Sequence, residues 1–456
     1  MSRQLAPTTA RRIAFEVLRR VYSTSSHSTI LLNAILRKNA DLQAVERRLA
    51  TELVFGVLRN ITLLDYYLNE AGSFSIKRTS IDVLTALRLG AYQVIFLSKT
   101  PDFASVSQTV EIAKEVAGKK TAGFVNALLR RLVEKHESIS PPEIGFDREE
   151  SEFIKSVALV FSFPVQLLSR WRSHTSREEL VRMVAALNQA PPGAIRVNKT
   201  RTTPDALQVL LESRGFEVQP SPICPNALRL SRGGAAENTP EWASGHFSIQ
   251  DEGPQVLGLL LNAENPRTVG DICAGIGQKS THLAELFPNS RILGSDISVK
   301  KMQECRRQSQ RLGLDNLRLL ASDALNSPLR PNSFDLILVD APCTGTGTIR
   351  RRPEIRWRFN LSNLKKLATL QLNLLESCKG LISPGGLLIY STCSIEPDEN
   401  ERVVAKFLKQ NSSFKIAPLD GLPEQLSGAS GKMGITLRPH LHDCDGMFFS
   451  LIRRSR

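Results

Sequence analysis

The stretch TVGDICAGIGQKSTHLAELFPNSRILGSDI, residues 268–297, decides the fold of the C-terminal half of the chain. It reads as a buried strand, a turn with two glycines, a helix and a second buried strand. The alternation continues downstream, where the further candidate strands are LRLLASD, DLILVDAP and GLLIYSTC. Strands separated by helices predict a doubly wound α/β domain whose parallel sheet is covered on both faces. The closing run GMFFSLIRR, after a turn at Asp445-Gly446, is predicted as an edge strand.

Residues 8 to about 135 show only helical patterns, which predicts an all-α N-terminal domain. In the first helix, one apolar face is formed by Ile13, Ala14, Val17, Leu18, Val21 and Tyr22. Much of the remaining face is predicted to carry Arg11, Arg12, Arg19 and Arg20. The paired prolines of ESISPPEIG, residues 137–145, cannot continue a helix and predict the first domain boundary.

Residues 146–240 mix helical and extended patterns. A helical stretch, FPVQLLSRWRSHTSREELVRMVAALNQ, precedes an extended PPGAIRVNKT, a helix at DALQVLLESRG and a strand at FEVQP. This alternation predicts a small α/β module that links the domains or binds RNA. The predicted division of the chain is therefore 1–140, 146–240 and 241–456.

Composition places the chain among soluble globular proteins, with 41% hydrophobic and 23% charged residues. No apolar run approaches the roughly 20 residues that a membrane helix needs. The N-terminal MSRQLAPTTARR lacks the apolar stretch of a secretory signal. We therefore expect a cytoplasmic protein with no membrane association, and a monomer is the default expectation.

The charge balance indicates a polyanionic partner. The net charge is +14, and the first 140 residues hold 20 Lys and Arg against 12 Asp and Glu. Such a balance favours nucleic acid, because Lys and Arg contact phosphates and release counterions. A basic protein without a polyanionic partner remains the alternative on charge alone.

The seven cysteines do not form a metal or disulfide pattern. Their number is odd and no two stand at C-x-x-C spacing. A zinc site or a disulfide framework is therefore not expected, and we expect no metal. Most of these cysteines are predicted to be small buried side chains in a reducing compartment.

Acidic residues and glycines mark the ends of four consecutive candidate strands. The first strand leads into Gly275 and Gly277, where a ligand can approach the backbone closely, although a G-x-G turn without a ligand is equally common. The next three strands end at or just before Asp296, Asp323 and Asp340. One such Asp is usually a cap or turn former, but a series at one sheet edge indicates a nucleoside-containing ligand. Because G-x-G-x-x-G and the P-loop motif are both absent, an adenosyl methyl donor fits better than a dinucleotide or ATP.

Two cysteines, Cys343 in DAPCTGTG and Cys393 in STCSIEPDENE, stand at strand ends in the same half of the chain. The proline and acidic residues after Cys393 suit a helix N-terminus, which would lower the pKa of its thiol. Taken alone, both would be interpreted as buried structural cysteines. Beside a methyl-donor site they suggest cytosine C5 methylation, because a thiolate added to carbon 6 makes carbon 5 nucleophilic. Asp340 is placed to contact the ring of the base, which must be unstacked to enter the pocket.

At these residues the sequence resembles the RsmB/Nop2/NSUN family of RNA 5-methylcytosine methyltransferases. The matching pieces are FSIQDEGPQ, DICAGIGQK, DAPCTGTG, RRPEIRW, STCSIEPDENE and HDCDGMFF. The N-terminal half resembles the NusB-like RNA-binding domain of the bacterial Sun/Fmu/RsmB branch through ERRLATELVFGVLRN, ALRLGAYQVIFL and GFVNALLRRL. The resemblance implies a NusB-like helical domain, a small α/β linker module and a Rossmann-like class I methyltransferase domain.

The resemblance also implies the chemistry and the site. S-adenosyl-L-methionine would be the methyl donor and a cytosine of 16S, small-subunit ribosomal RNA the substrate. Cys393 is implied as the nucleophile, Cys343 as the residue that assists adduct breakdown and product release, and Asp340 as the base contact. The implied donor-binding residues are Cys273, Ala274, Gly275, Ile276, Gly277, Gln278, Lys279, Asp296, Asp323 and Asp340.

The first motif departs from the usual C-A-A-P-G-G-K of the family. Gly275, Ile276 and Gln278 stand in place of Ala, Pro and Gly, whereas Gly277 and Lys279 remain. The loop thereby loses the fixed φ of proline and gains a side chain at Gln278, which predicts altered donor affinity. A transfer RNA cytosine-5 methyltransferase and a non-catalytic RNA-binding assembly factor on a degenerate methyltransferase fold remain the alternative functions.

Overall fold

The computed structural model describes residues 9–39, 41–72, 74–97, 101–419 and 422–456. The chain forms two compact units. We call them the helical unit, which runs to Asn188 and includes Arg351–Arg358, and the sheet unit, Gln189–Arg350 with Phe359–Arg456. The division into three domains stays a prediction. The first eight residues, part of the N-terminal segment that is predicted to carry no secretory signal, lie outside the described residues. Within the described residues, no helix combines the length and the apolar character needed to cross a membrane.

Among the described residues up to Asn188, the regular elements of the helical unit are all helices, as the sequence predicts. They are α1 Thr9–Ser23, α2 Ser28–Lys38, α3 Ala44–Arg59, α4 Ile61–Ala71, α5 Ile81–Phe96, α6 Asp102–Lys135, α7 Glu150–Val160, α8 Val165–Arg172 and α9 Arg177–Asn188. Helix α6 is interrupted at Gly118, whose φ of +82° lies in the left-handed region. The apolar face of α1 is buried as predicted, but so is Arg11, which the pattern assigns to the polar face. Its Nε donates to Gln93 Oε1 at 2.6 Å, which satisfies the buried guanidinium.

The RRPEIRW motif belongs to the helical unit although it follows the Cys343 strand in sequence. The carboxylate of Glu354 accepts hydrogen bonds from the backbone N–H and the hydroxyl of Ser28, at 2.9 and 2.8 Å. Arg356 is fully buried, and its guanidinium carbon lies 3.8 Å from the ring centroid of Phe163. Arg351–Arg358 is thus anchored by a buried carboxylate and a buried guanidinium whose partners lie far away in sequence, which a local pattern of strands and helices cannot reveal.

A small antiparallel sheet with strand order β2-β3-β1-β4 opens the sheet unit. Its elements are β1 Gly193–Val197, α10 Pro204–Ser213, β2 Glu217–Pro220, β3 Ala227–Arg232, α11 Pro240–Ala243 and β4 Phe247–Ile249. The sequence pattern predicts β1, α10 and β2 but neither β3 nor β4. Both of these strands are short, and their stability comes from cross-strand partners that lie far away in sequence.

The large sheet has the order β11-β12-β13-β9-β8-β5-β6-β7. Its strands are β5 Thr268–Asp271, β6 Arg291–Asp296, β7 Leu317–Ala321, β8 Phe334–Asp340, β9 Ile382–Thr392, β10 Phe414–Ile416, β11 Ser430–Gly431, β12 Gly434–Leu437 and β13 Met447–Arg454. The accompanying helices are α12 Glu252–Leu260, α13 Gln278–Leu286, α14 Val299–Leu312, α15 Ile355–Arg358, α16 Leu361–Cys378, α17 Glu401–Gln410 and α18 Pro439–His442, of which α15 belongs to the helical unit.

Strands β7, β6, β5, β8 and β9 are parallel, which confirms the predicted doubly wound α/β sheet. Strand β13 was expected at the edge, and this prediction is wrong. It lies between β9 and β12, antiparallel to both, and β10 also pairs with its end. Its residues Met447–Leu451 are buried, because strands cover both of its sides. The short β12 is invisible to an alternation pattern, which is why β13 looked terminal.

Candidate active site

The glycine loop, residues 272–277, connects β5 to α13 at the carboxyl edge of the parallel sheet. The Ala274 N–H donates to the carbonyl of Ser295 at 2.8 Å, which ties the loop to β6. Gly277 has φ +87° and directly precedes α13. A Cβ on Gly277 would lie 2.1 Å from Cys305 Sγ, so both its backbone conformation and its surroundings require glycine.

Gly275 joins the loop to the acidic residue at the end of β6. It has φ +59°, and a Cβ built there meets nothing within 4 Å, so this side of the loop is open. Its N–H donates to Asp296 Oδ2 at 3.0 Å, and Ser298 N–H donates to Asp296 Oδ1 at 2.9 Å. Lys301 Nζ lies 3.3 Å from the same carboxylate. Asp296 therefore holds the glycine loop through the Gly275 N–H. Its position at the end of β6 is the one that the sequence pattern predicts.

The substituted positions of the first motif take different environments. Ile276 is 49% exposed, whereas the Gln278 side chain donates through Nε2 to the carbonyl of Ile249 in β4 at 3.1 Å. Ala274 is buried and Cys273 is half-buried, with the pKa of its thiol raised well above the usual value by burial. Gln278 thus contacts the small sheet through its side chain.

Asp323 follows β7, as the strand-end pattern predicts. Its carboxylate accepts hydrogen bonds from Leu325 N–H at 2.9 Å and from Asn326 Nδ2 at 3.0 Å, so it caps the short 3-10 turn Ala324–Asn326. The cap-former interpretation of this residue therefore holds locally. Its predicted donor contact remains a prediction.

An ion pair between Lys279, at the start of α13, and the half-buried Asp340 links this helix to β8. Lys279 Nζ lies 2.7 Å from Asp340 Oδ2, and Ser391 Oγ donates to Asp340 Oδ1 at 2.7 Å. Burial lowers the pKa of Lys279, but the charge of Asp340 and its hydrogen bond outweigh burial and leave this pKa raised. Lys279 therefore carries its positive charge at neutral pH and holds the Asp340 carboxylate.

The two predicted catalytic cysteines meet at the carboxyl ends of β8 and β9. Asp340 of β8 and Ser391 of β9 are paired in the parallel register. Cys343 and Cys393, which follow these two residues by three and two positions, therefore lie at the same edge of the sheet. Their Sγ atoms lie 3.3 Å apart. The hydrogen bond that Cys343 shares with Cys393, together with burial, raises the pKa of Cys343 well above its usual value, so Cys343 is a neutral thiol.

The expected helix N-terminus next to Cys393 is absent. Helix α17 begins at Glu401, and residues 394–400 form a loop. No helix therefore begins directly after Cys393, and the expected helix N-terminus lies eight residues further along the chain, at Glu401. Instead Glu399 accepts hydrogen bonds in this loop from Thr344 N–H at 2.9 Å and from Gln371 Nε2 at 3.0 Å. This carboxylate fixes the two cysteine loops to each other, and burial raises its pKa.

A glycine–glycine contact completes the support of Cys393. Gly347 N–H donates to the carbonyl of Cys393 at 3.0 Å, and Gly446 N–H donates to the carbonyl of Gly347 at 2.8 Å. A Cβ on Gly347 would lie 2.1 Å from the carbonyl oxygen of Gly446. The HDCDGMFF motif thus acts through its backbone, by letting β13 approach the Cys343 loop.

Asp271, at the end of β5, has the opposite electrostatic environment to Asp340. It is completely buried, Ser280 Oγ donates to its Oδ2 at 2.6 Å, and burial raises its pKa to about 7. The folded chain therefore holds this proton more tightly than the unfolded chain, so the carboxyl costs stability increasingly as pH rises from about 4 through 7.

We expect Asp271→Asn to remove this cost. Between pH 5 and pH 8, ionisation of Asp271 should lower the free energy of unfolding of the parent by about 2 kcal/mol, since one pKa unit corresponds to about 1.4 kcal/mol. Asp271→Asn should lack this decrease. Equilibrium urea unfolding at the two pH values measures this difference. Asp205→Asn, which changes an exposed carboxylate on α10, is the control. Parallel pH dependence of the parent and Asp271→Asn would contradict the expectation.

Several residues of the site escape a motif analysis. Ile297 and Leu325, each just after a strand end, are 71% and 40% exposed, unusual for large apolar side chains beside buried strands. Ser391 contacts Asp340, and Glu399 contacts Thr344, as described above. Both residues lie inside the STCSIEPDENE motif, and their polar side chains in an otherwise buried segment could have indicated a role in the site.

The remaining cysteines behave as predicted small buried side chains. All seven are free thiols, and the fully buried ones are Cys224, Cys305, Cys378 and Cys444. Burial raises the pKa of both Cys305 and Cys378 to about 12. Across the described residues, no group of three or more His, Cys, Asp or Glu side chains is arranged to hold a metal ion.

Three family models match successive parts of the chain. The NusB family matches residues 8–134, the ferredoxin-like domain of RsmF/B-like methyltransferases matches 163–237, and the 16S rRNA methyltransferase RsmB/F family matches 258–453. These matches agree with the predicted NusB-like helical domain, small α/β module and Rossmann-like methyltransferase domain.

Full-length relatives and a solved structure match as well. The chain is 32% identical over 454 residues to the probable ribosomal RNA small subunit methyltransferase B of Bacillus subtilis, covering 98% of this chain and 99% of the relative. It is 30% identical over 451 residues to the probable enzyme of that name from Synechocystis, with 98% and 99% coverage. The crystal structure of PH0851 superposes with a TM-score of 0.82 at 25% identity, covering 99% of this chain and 100% of that one. The chain is therefore a methyltransferase that belongs to the RsmB/F family of 16S rRNA methyltransferases.

Proposed function

We propose that the protein methylates carbon 5 of a cytosine in 16S ribosomal RNA, with S-adenosyl-L-methionine as donor and Cys393 as the covalent nucleophile. The observation that carries the proposal is the 3.3 Å separation of the Cys343 and Cys393 sulfur atoms beside the Lys279–Asp340 ion pair. A methyltransferase acting on an oxygen or an exocyclic nitrogen has no need for two adjacent thiols. Carbon 5 of cytosine requires one, because the ring must first be activated at carbon 6.

The residues at the carboxyl edge of the sheet fit the donor. Asp296 would hold the ribose, Asp323 would lie near the adenine, and the glycine loop would receive the rest of the molecule. Ile276, Ile297 and Leu325 follow the adjacent strands β5, β6 and β7 with 49%, 71% and 40% exposure. Their apolar surfaces suit the faces of an adenosyl group. When bound, the donor supplies an electrophilic methyl group.

Cys393 would attack carbon 6 of the cytosine as a thiolate, which forms a carbon–sulfur bond and moves the electron pair of the double bond to carbon 5. Asp340, held in place by Lys279 and Ser391, would contact the ring of the base, and the neighbouring positive charge of Lys279 would stabilise the negative charge of the adduct. After carbon 5 has taken the methyl group, its proton passes to solvent, the freed electron pair restores the double bond between carbons 5 and 6, and the carbon–sulfur bond breaks to release Cys393 as a thiolate. Cys343, as a neutral thiol, would then donate a hydrogen bond to the departing sulfur of Cys393.

The charge of the protein supports an RNA substrate. The first 140 residues hold 20 Lys and Arg against 12 Asp and Glu, in the segment that matches the NusB family. Phosphate contacts by such residues supply affinity without sequence information. The target cytosine must be unpaired or extruded, because carbon 6 is inaccessible to a thiol inside a stacked helix.

Methylation and bisulfite mapping test the proposal. Full-length protein is incubated with S-adenosylmethionine and unmodified 16S ribosomal RNA, free or in small subunits, with transfer RNA in parallel. We expect one bisulfite-resistant cytosine in the ribosomal RNA and none without protein. Resistance only in transfer RNA would favour the transfer RNA alternative, and methyl incorporation without bisulfite resistance would contradict C5 chemistry. Absence of both methyl transfer and donor binding by calorimetry would favour a non-catalytic assembly factor.

A further inference from the structure

Arg196 of β1 is a fully buried charge that the proposed chemistry does not use. It is 1% exposed and forms a paired contact with Glu285 of α13, from Nε and Nη2 to the two carboxylate oxygens, each at 2.9 Å. A buried ion pair of this kind contributes little to stability compared with apolar packing, because both groups lose their hydration. Stability alone therefore does not account for this ion pair.

The remaining donors of Arg196 reach the start of α13. Nη1 donates to the carbonyl oxygen of Gln278 at 3.0 Å, and Nη2 donates to Thr281 Oγ1 at 3.1 Å. Nη1 also contacts Gln250 Oε1, directly after β4. Gln278 is held from its other end as well, because its side chain donates to the Ile249 carbonyl at 3.1 Å. Gln278, the first residue after the glycine loop, is thus held by both β1 and β4 of the small sheet.

A second set of hydrogen bonds joins the small sheet and its neighbouring residues to α14. Asn198 Nδ2 donates to the carbonyl oxygen of Leu312 at 3.1 Å, and Arg311 Nη1 donates to the carbonyl oxygens of Trp242 and Phe247 at 2.6 and 3.0 Å. These groups are buried or partly buried. The small sheet is therefore hydrogen-bonded both to α13, which follows the glycine loop, and to α14.

We propose that Arg196 is a positioning residue for the methyl donor, and that the small sheet forms part of the donor site by fixing the glycine loop. The inference rests on the proposed function, since it takes this loop as the donor site. The loop lacks the proline that would fix its φ, with Ile276 in that place, so its conformation needs support from outside. The planar fork of arginine supplies that support, because it binds a carboxylate and a carbonyl oxygen at once, which the point charge of lysine does not.

Arg196→Lys tests this role against Arg214→Lys. Arg214 pairs with the buried Glu241 of α11 at 2.8 Å, so its ion pair lies within the small module and not at the start of α13. We expect Arg196→Lys to weaken S-adenosylmethionine binding about tenfold by calorimetry, and to raise KM for the donor similarly. The kcat at saturating donor and the KM for ribosomal RNA should stay within about twofold of the parent. Arg214→Lys should leave donor affinity unchanged.

The paired variant Arg196→Met/Glu285→Leu covers the case in which Arg196→Lys fails to fold. It removes both charges, so no uncompensated charge is left buried, while Gln278 still loses its donor. We expect it to fold and to show the same loss of donor affinity. Two results would overturn the positioning role alone. One is a donor affinity in the Arg196 variants equal to that of the parent. The other is an equal loss of donor affinity in Arg196→Lys and Arg214→Lys that parallels their loss of thermal stability. A parent protein that binds no donor would overturn this inference together with the proposed function.

Discussion

Cys393→Ala is expected to abolish methyl transfer, with kcat reduced at least about 1,000-fold. Without a sulfur atom to add to carbon 6, carbon 5 of the cytosine stays too weak a nucleophile to take a methyl group. The loss should appear entirely in kcat, because Cys393 lies at the end of β9 and the glycine loop follows β5. Single-turnover incorporation of labelled methyl groups into 16S ribosomal RNA measures the effect, with donor affinity determined in parallel.

Cys378→Ala provides the matched control for this experiment. Cys378 is buried at the end of α16, and burial raises the pKa of its thiol to about 12, which leaves it unreactive. Its removal should cost only the modest stability of a small cavity and keep kcat near that of the parent. Undiminished methylation by Cys393→Ala would refute the nucleophile assignment, whatever the control shows.

Cys343→Ala is expected to produce a different defect, a protein that stalls covalently on its RNA. Addition at carbon 6 needs only Cys393, so the first half of the reaction should proceed. Breakdown should slow about 100-fold or more, because the leaving sulfur loses the thiol that lies 3.3 Å away. Denaturing gel electrophoresis should then show a protein–RNA complex that survives detergent, with about one methyl group per protein.

The double variant Cys343→Ala/Cys393→Ala controls for adventitious crosslinking. It should form no detergent-resistant complex, because the only sulfur that attacks the base has been removed. Normal multiple turnover by Cys343→Ala without a trapped complex would show that product release does not depend on the second thiol. The pair of single variants thus separates attack from release.

Much of the fold and of the site could be predicted from local patterns. The parallel strands β5 to β9 were predictable because each is a continuous apolar run between turns, and their bounds follow the quoted segments closely. The acidic residues at strand ends were predictable for the same reason, since the carboxyl ends of parallel strands share one edge. Cys343 and Cys393 stand just beyond two such ends, so their proximity was implied once β8 and β9 were neighbours.

Other features could not be predicted because they depend on partners distant in sequence. Arg11 looks like a solvated charge on α1, but Gln93 of α5 satisfies it in the core. Cys393 looks as if it precedes a helix, but Glu399 and its neighbours form hydrogen bonds to the Cys343 loop instead, and α17 begins only at Glu401. In each case a long-range hydrogen bond overrides the local preference.

The sequence by itself determined the order of the parallel strands and their helices and the positions of the two candidate thiols and the strand-end acids, because these depend on residue type and short-range periodicity. The tertiary structure alone decided which groups meet. It brought Lys279 to Asp340, placed the two sulfur atoms 3.3 Å apart, and buried Arg196 of the small sheet against the start of α13. The physical reason is that charges and hydrogen-bond donors select their partners across the fold, where separation along the chain carries no information about distance.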